Sequence, residues 1–229
     1  MGRLFAISDI HGCFDAFHTL VIRHIGLTKS DKLILLGDYI DRGEKSKEVI
    51  DFIIDLMNTG FDIIPLCGNH EEMLVDSLSN SDLMPLWLLN SGMTTMQSFG
   101  INDINDINYI EKRYRDFFQN LEYFKKEGNF LFVHAGFNDF APDPFSDKHG
   151  MIWECRTFYE NPVLRDKIII HGHRPRRIEN IKKLISESSK VIPIDTGCVY
   201  DKEQGYGNLS ALDVGNMKLI SVENNYIHT

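Results

Sequence analysis

LILLGDYIDRG, residues 33–43, begins as a strand and ends in charge. Leu33 to Leu36 is an unbroken apolar run, the pattern of a strand buried on both faces. It leads straight into Gly37, Asp38, Asp41, Arg42 and Gly43. The same construction recurs along the chain: RLFAI runs into SDIHG, DIIPL into CGNHEE, NFLFV into HAG, DKIII into HGH and KVIPI into DTG. Helical patterns separate the first three runs. One is Phe14 to Ile25, opening after Gly12; the other is Lys45 to Met57, whose Val49, Ile50, Ile53, Ile54 and Met57 repeat at helical spacing before Gly60. Alternating strand and helix predicts an α/β fold, in which the loops at the carboxyl ends of the strands converge on the ligand site. Six polar endings are therefore expected at one place.

From about Asn80 to Gly128 the pattern is mainly helical: WLLNSGMTTMQSFG, a short I-N-D repeat at 101–108 that reads as a turn and helix entry, then YIEKRYRDFFQNLEYF. This block is expected to supply packing and a rim for the substrate. The tail, NLSALDVGNMKLISVE, predicts a hairpin whose turn includes Gly215 and Asn216.

Composition narrows the class. A chain of 229 residues with 43% hydrophobic and 25% charged residues can bury a real core, and no Pro/Gly-rich linker divides it, so one folded domain is expected. A net charge of −9 argues against nucleic acid and anionic membranes as partners. It leaves room for cations, which become the largest local charges wherever carboxylates hold them. Cys13, Cys67, Cys155 and Cys198 form no C-x-x-C pair and are expected to be reduced thiols of a cytoplasmic protein. The apolar run in MGRLFAISDI is too short for a secretory signal, and no stretch approaches the ~18 apolar residues of a membrane span. An unanchored cytoplasmic protein is the expectation.

The strand endings pool Asp9, His11, Asp38, Asn69, His134 and His173, with Asp41, Arg42 and His70 beside them. Oxygen and imidazole donors without a thiolate suit Mn²⁺, Fe²⁺ or Zn²⁺. Asp9 and His11, two apart, can point to one side, while Asp38 can bridge two ions with its two oxygens. Two ions ~3.5–4 Å apart clamp a phosphoryl group and generate hydroxide at neutral pH. On that view the strand ends in charge because it is a rigid mount for cations. Taken singly, each motif has a plainer explanation. D-x-H reads as a helix cap, GDYIDRG as a turn with an Asp–Arg pair, and GNHE as a helix start with Glu71 and Glu72 in the first turn. Their joint occurrence, each after a strand, is what favours the site. His171 is read as a hydrogen-bonding neighbour, not a ligand, and Cys13 and Cys67 as small hydrophobes. DTG at Asp195 occurs once, whereas an aspartic protease needs two such carboxylates.

DIHG, GDYIDRG, GNHE, HAG and GH, in this order from Asp9 to about Gly197, resemble the PPP-type serine/threonine protein phosphatases of the bacterial and phage branch, within the calcineurin-like metallophosphoesterase superfamily. The resemblance implies an α/β fold of two mixed β-sheets packed as a sandwich with flanking helices. A single domain would span 1–229, with the mainly helical segment at about 80–128. It implies two divalent metal ions, Mn²⁺ first and Fe or Zn as alternatives. Asp9 and His11 would hold one ion, Asn69, His134 and His173 the other, and Asp38 would bridge them. Arg42 would grip the phosphate, as a planar guanidinium does bidentately. His70, oriented by Asp41, would protonate the leaving oxygen. Attack would be in line, by hydroxide bridging the two ions, without a covalent phosphoenzyme.

Two positions depart from the family pattern. IWECRTF puts Arg156 three residues after Trp153 instead of two, with Cys155 where a second phosphate-binding arginine is usual, and Arg156 is still expected to bind the substrate phosphate; HGHRP has Arg174 where Thr is common, placed either to contact substrate or to face solvent. Hydrolysis of phosphomonoesters, on phosphoserine and phosphothreonine of proteins, is the first expectation. Symmetrical bis(5'-nucleosyl)-tetraphosphatase activity on diadenosine tetraphosphate is the alternative, and a non-catalytic phosphate-binding module is a distant third. The expected partner is a phosphoprotein or a small phosphorylated substrate, with no nucleic acid and no membrane.

Overall fold

Alternation along each strand decides how the layers stack in the computed structural model, which describes residues 2–225. Met1 and residues 226–229, the ends of the expected domain, lie outside it. The strands are β1 (Leu4–Ile7), β2 (Lys32–Leu35), β3 (Asp62–Pro65), β4 (Phe124–Glu127), β5 (Phe130–Val133), β6 (Ile168–His171), β7 (Val191–Pro193), β8 (Asn208–Asp213) and β9 (Lys218–Glu223). They form a sheet ordered β3-β2-β1-β8-β9 and a second ordered β4-β5-β6-β7. In the first, β1, β2 and β3 run parallel while β8 and β9 are antiparallel; in the second, β5, β6 and β7 run parallel and β4 is antiparallel. Both sheets are mixed, as expected.

The period of two places alternate side chains on opposite faces. Ala6, Ile34, Leu36 and Leu212 from the first sheet meet Phe132, Ile170 and Ile192 from the second in one buried cluster, which is the filling of the sandwich. Phe5, Ile7, Leu33 and Leu35 turn the other way, onto the helices. Leu131, Val133, Ile169 and Val191 face outward from the second sheet onto Phe137, Met151 and Leu164. Each run is apolar throughout because both of its faces are covered.

The helices are α1 (Phe14–Thr19), α2 (Ser46–Asn58), α3 (Asn69–Ser79), α4 (Met84–Leu89), α5 (Gly92–Ser98), α6 (Lys112–Gln119), α7 (Lys148–Trp153) and α8 (Ile178–Ser186). The helix expected over Phe14–Ile25 is α1 continued by a π-helical stretch, Leu20–Ile25, that ends at Gly26 with φ +57°. α2 buries Val49, Ile50 and Ile53 as its spacing indicates, but Leu56 takes the last buried position, while Ile54 is half-buried and Met57 is exposed.

Within 80–128 the structure has α4, α5, a 3₁₀ stretch over Ile104–Tyr109 and α6, and then departs from a helical reading. Phe124–Glu127 is an edge strand paired with β5. Glu127 pairs with Phe130 across Gly128–Asn129, a two-residue hairpin turn in which Gly128 takes φ +60°. Such turns need a left-handed residue, which glycine supplies without strain. Pairing with β5 overrides the helical pattern of the preceding residues. No helix among the described residues is long and apolar enough to cross a membrane.

Candidate active site

The loops that leave β1, β2, β3, β5 and β6 bring Asp9, His11, Asp38, Asn69, His70, His134 and His173 together. All but His173 are buried. The backbone is bent to do so. His11, Asp38, Asp41, Arg42 and His173 have φ of +45°, +54°, +68°, +69° and +69°, which makes five of the eight non-glycine left-handed residues among those described. Such conformations cost free energy and persist where neighbours over-determine them. Here a backbone net does so: the N–H groups of Ile10 and His11 both donate to Asp38 O, and Gly12 N–H donates to Tyr39 O. The approach is close enough that a side chain at Gly68 would collide with the Asp38 carboxylate, and one at Gly172 with that of Asp9.

Glu71 locks the same loop. Its Oε2 accepts from the N–H of Asp38 (2.8 Å) and Gly68 (3.0 Å), and its Oε1 from Tyr39 (2.8 Å) and Ile40 (3.3 Å). Burial and the nearby Asp38 push its carboxyl up to about 8. Four N–H donors work against that shift by favouring the carboxylate. In the sequence Glu71 reads only as a first-turn charge; its role as a clamp depends on α3 standing over the GDYID loop.

The ring orientations identify the donor atoms. His11 Nδ1 lies 2.9 Å from Ile40 O, and His134 Nδ1 lies 2.9 Å from Leu36 O. A carbonyl only accepts, so both Nδ1 atoms donate and, in the neutral rings, both Nε2 atoms carry lone pairs. Those lone pairs face carboxylate oxygens: His11 Nε2 is 3.4 Å from Asp38 Oδ2, and His134 Nε2 is 3.5 Å from Asp38 Oδ1. Asn69 Oδ1, His134 Nε2 and His173 Nδ1 lie 2.9–3.0 Å from one another. Donor atoms come within 4.8 Å of one another in two groups, His11–Asp38–His70 and Asp38–His134–His173, and Asp38 belongs to both. Asp9 is outside both groups. Its oxygens accept the His173 N–H at 2.9 and 3.1 Å, and the hydroxyl of Ser8 bonds to Oδ2. Lone pairs converging from imidazoles, an amide and a carboxylate are the surroundings of a cation, and this thiolate-free set fits divalent first-row ions.

The imidazoles do not titrate alike. Burial holds His11 well below its ordinary value, and it pushes His173 down to about 3, with His134 and Arg174 adding repulsion. Both shifts favour the neutral ring, the form that metal binding requires. Burial acts on His70 in the same sense, but Asp38 and Asp41 outweigh it and raise the ring's pKa. His70 Nδ1 is 2.7 Å from Asp41 Oδ2, which leaves Nε2 toward the cluster, 3.9 Å from Asp38 Oδ2. Asp41 is itself pinned: Trp87 Nε1 donates to Oδ2 (2.9 Å), Thr95 Oγ1 donates to Oδ1 (2.6 Å), and the Asp41 N–H donates to Thr95 Oγ1 (2.8 Å). Trp87 and Thr95 come from α4 and α5, the block read from sequence only as packing and rim.

Arg42 lies across the cluster, with Nη1 2.9 Å from His11 Nε2 and Nη2 3.2 Å from His70 Nε2. Nη1 also donates to the Tyr200 hydroxyl (3.1 Å), a neighbour that no motif signals. Arg156 is elsewhere: its Nη2 donates to Glu154 (3.4 Å), and it lines a separate cleft with His171, Arg174 and Arg176. His171 is buried with Nδ1 on Gly172 O.

Residues 2–201 match the family described as Calcineurin-like phosphoesterase. The chain belongs to that family. The phosphoesterase is 25% identical to the asymmetrical bis(5'-nucleosyl)-tetraphosphatase PrpE of Anoxybacillus flavithermus, over 94% of this chain and 92% of that protein. It is 27% identical to the symmetrical bis(5'-nucleosyl)-tetraphosphatase of Haemophilus influenzae, over 76% of this chain and 54% of that one. Serine/threonine-protein phosphatase 2 of Salmonella typhimurium is 34% identical over 39% of this chain and 38% of its own.

Proposed function

We propose that this phosphoesterase hydrolyses a phosphoanhydride bond in a dinucleoside polyphosphate, with two divalent metal ions held at the strand ends. The observation that carries the metal-dependent chemistry is Asp38, whose two oxygens serve two separate donor groups. The substrate class follows the likeness that runs the length of the chain, that to the tetraphosphatase PrpE. The motifs alone favour protein phosphoserine and phosphothreonine. That second reading keeps the local 34% identity to a protein phosphatase as its support.

His11 and Asp38, with Asp9 beside them, would hold one ion, and Asp38, Asn69, His134 and His173 the other. When bound, such a pair supplies a nucleophilic water at neutral pH and neutralises phosphoryl charge. Arg42 presents a planar guanidinium to the equatorial phosphate oxygens. The oxygen of water bonds to phosphorus as the bridging P–O bond breaks; the electron pair of that bond leaves with the departing phosphate, and the proton released by the water passes to solvent. His70 Nε2, the ring atom that Asp41 does not occupy, faces the leaving oxygen and protonates it when the leaving group is basic. Trp87 and Thr95 keep Asp41, and through it His70, in place.

The test is a side-by-side assay of Mn²⁺-loaded protein on diadenosine tetraphosphate and on a phosphothreonine peptide. The expected kcat/KM favours the dinucleotide by at least about a hundredfold, a differential of roughly 2.7 kcal/mol. The opposite ratio would transfer the assignment to protein phosphatase. Chromatography of the products separates ADP plus ADP from ATP plus AMP and so gives the position of cleavage.

A further inference from the structure

Beside the cluster, a cleft of about 530 Å³ opens between residues 155–157 and α8. Its volume is that of a pocket for a small organic ligand. Arg156, Arg174, Arg176 and Lys183 line it against one carboxylate, Glu187. This concentration of positive charge stands on a chain whose net charge is −9. Neither Arg174 nor Arg176 has a carboxylate within ion-pair distance among the described residues, and Lys183 reaches Glu187 only at 3.8 Å. With Glu154 3.4 Å from Arg156 as the other carboxylate, four cations share two counter-charges, and the excess positive charge repels itself unless an anion is shared among them. Arg156 gives a second, independent sign: its Nε–H is buried and has no acceptor, and the guanidinium carbon lies 4.8 Å from the centroid of the exposed Phe140 ring. A buried donor left unpaired calls for a partner, and here the donor belongs to a residue of the cleft wall.

The cleft and the cluster share a wall. His171 and Arg174 line the cleft, and between them in the chain lie Gly172, packed on the Asp9 carboxylate, and His173. Arg174 follows His173 directly, about 3.8 Å along the Cα trace. A phosphate chain with one phosphoryl group at the cluster therefore meets the cationic rim at its next groups.

We propose that this cleft is a second anion subsite, which holds the phosphates beyond the scissile one in a nucleoside polyphosphate and so selects a polyphosphate chain over a single phosphoryl group. The subsite gives the proposed dinucleotide hydrolysis its substrate preference and rests on that reading for its use in turnover. Its binding of polyphosphate does not depend on it. Arg176 and Lys183 are exposed and belong to no packed cluster, so replacing them leaves the fold in place, as circular dichroism can verify.

The experiment pairs wild type with an Arg176→Gln, Lys183→Gln double variant. Inorganic tripolyphosphate is titrated calorimetrically into the chelator-treated full chain. Separately, KM is measured for diadenosine tetraphosphate and for p-nitrophenyl phosphate with Mn²⁺ present. The expected result is a tripolyphosphate Kd at least tenfold weaker in the variant, and a ratio of the two KM values shifted at least tenfold against the dinucleotide. A Kd and a KM ratio both within twofold of wild type overturn the subsite while leaving the proposed activity standing. If wild type turns over no dinucleotide and tripolyphosphate binding still weakens tenfold, the subsite stands and the proposed activity falls.

Discussion

On the proposed mechanism, replacing His70 by Asn separates proton transfer from metal binding, and the structure sets the scale. His70 Nδ1 is committed to Asp41 at 2.7 Å, so only Nε2 can reach a leaving oxygen. One proton donor is removed, worth roughly 10²–10⁴ in kcat, or about 2.7–5.4 kcal/mol. How much of that is felt depends on the leaving group's need for a proton. An alkoxide needs it most, a phenolate of pKa about 10 less, and a terminal phosphate of pKa about 6 scarcely at all. The variant is therefore expected to lose about 10³–10⁴-fold on an alkyl phosphate, about 10²-fold on phenyl phosphate and less than about tenfold on diadenosine tetraphosphate. Steady-state kinetics on the three substrates, with metal content measured on the same protein, is the assay. Because His70 Nε2 also lies 3.9 Å from Asp38 Oδ2, the metal measurement matters as much as the rates. Equal losses on all three substrates, or loss of one ion per chain, would refute the assignment of His70 as an acid and make it a ligand.

Asp38→Asn should empty both metal positions, since one carboxylate serves both groups; elemental analysis should find less than half the wild-type metal, and added Mn²⁺ should not restore activity. Above about pH 8, where Glu71 is a carboxylate, Glu71→Gln keeps the shape of the clamp but presents an NH₂ to two of four N–H donors, so about 3 kcal/mol of stability should be lost there. For a chain of this size that is a fall of roughly 6–12 °C in Tm by calorimetry in chelator. Arg3 holds Asp31 below the ordinary carboxylate range through a contact of 3.1 Å from Nε to Oδ1 and one of 2.6 Å from Nη2 to Oδ2. A depressed carboxyl pKa stabilises the fold above the unfolded value of about 3.9 and ceases to as pH falls through the lower folded one. Urea unfolding of wild type and Asp31→Asn should therefore differ by a constant amount above about pH 5 and converge in stronger acid.

The strand endings were legible because each combines a local apolar run with a local polar stop. Asp9, His11, Asp38, Asn69, His134 and His173 can be pooled once those stops are assumed to share an edge of the fold. What escaped detection is non-local. Trp87 and Thr95 lie 46 and 54 residues beyond the carboxylate they hold, and nothing in WLLNSGMTT signals that partner. Glu71 sits inside a recognised motif, yet its four N–H partners lie across two loops. β4 was lost for the opposite reason: its signal, Gly128–Asn129 followed by an apolar run, is short and adjoins a longer helical pattern. Arg156 marks the limit of spacing arguments, since one extra residue after Trp153 accompanies a guanidinium paired to Glu154 in a different cleft.

Five of the residues in or beside the cluster occupy backbone conformations in which glycine would be more comfortable. At about 1 kcal/mol each, they withhold roughly 5 kcal/mol from a fold whose total stability is of the order of 5–15 kcal/mol. For directed evolution this has a blunt corollary. A library selected for heat tolerance alone is drawn to Arg42 and His173, the two of these that are only half-buried and so give up least packing, and the winners would be sturdy, well-expressed and inert. Selection has to reward turnover in every round, because in this protein the cheapest route to thermostability runs through the reaction centre.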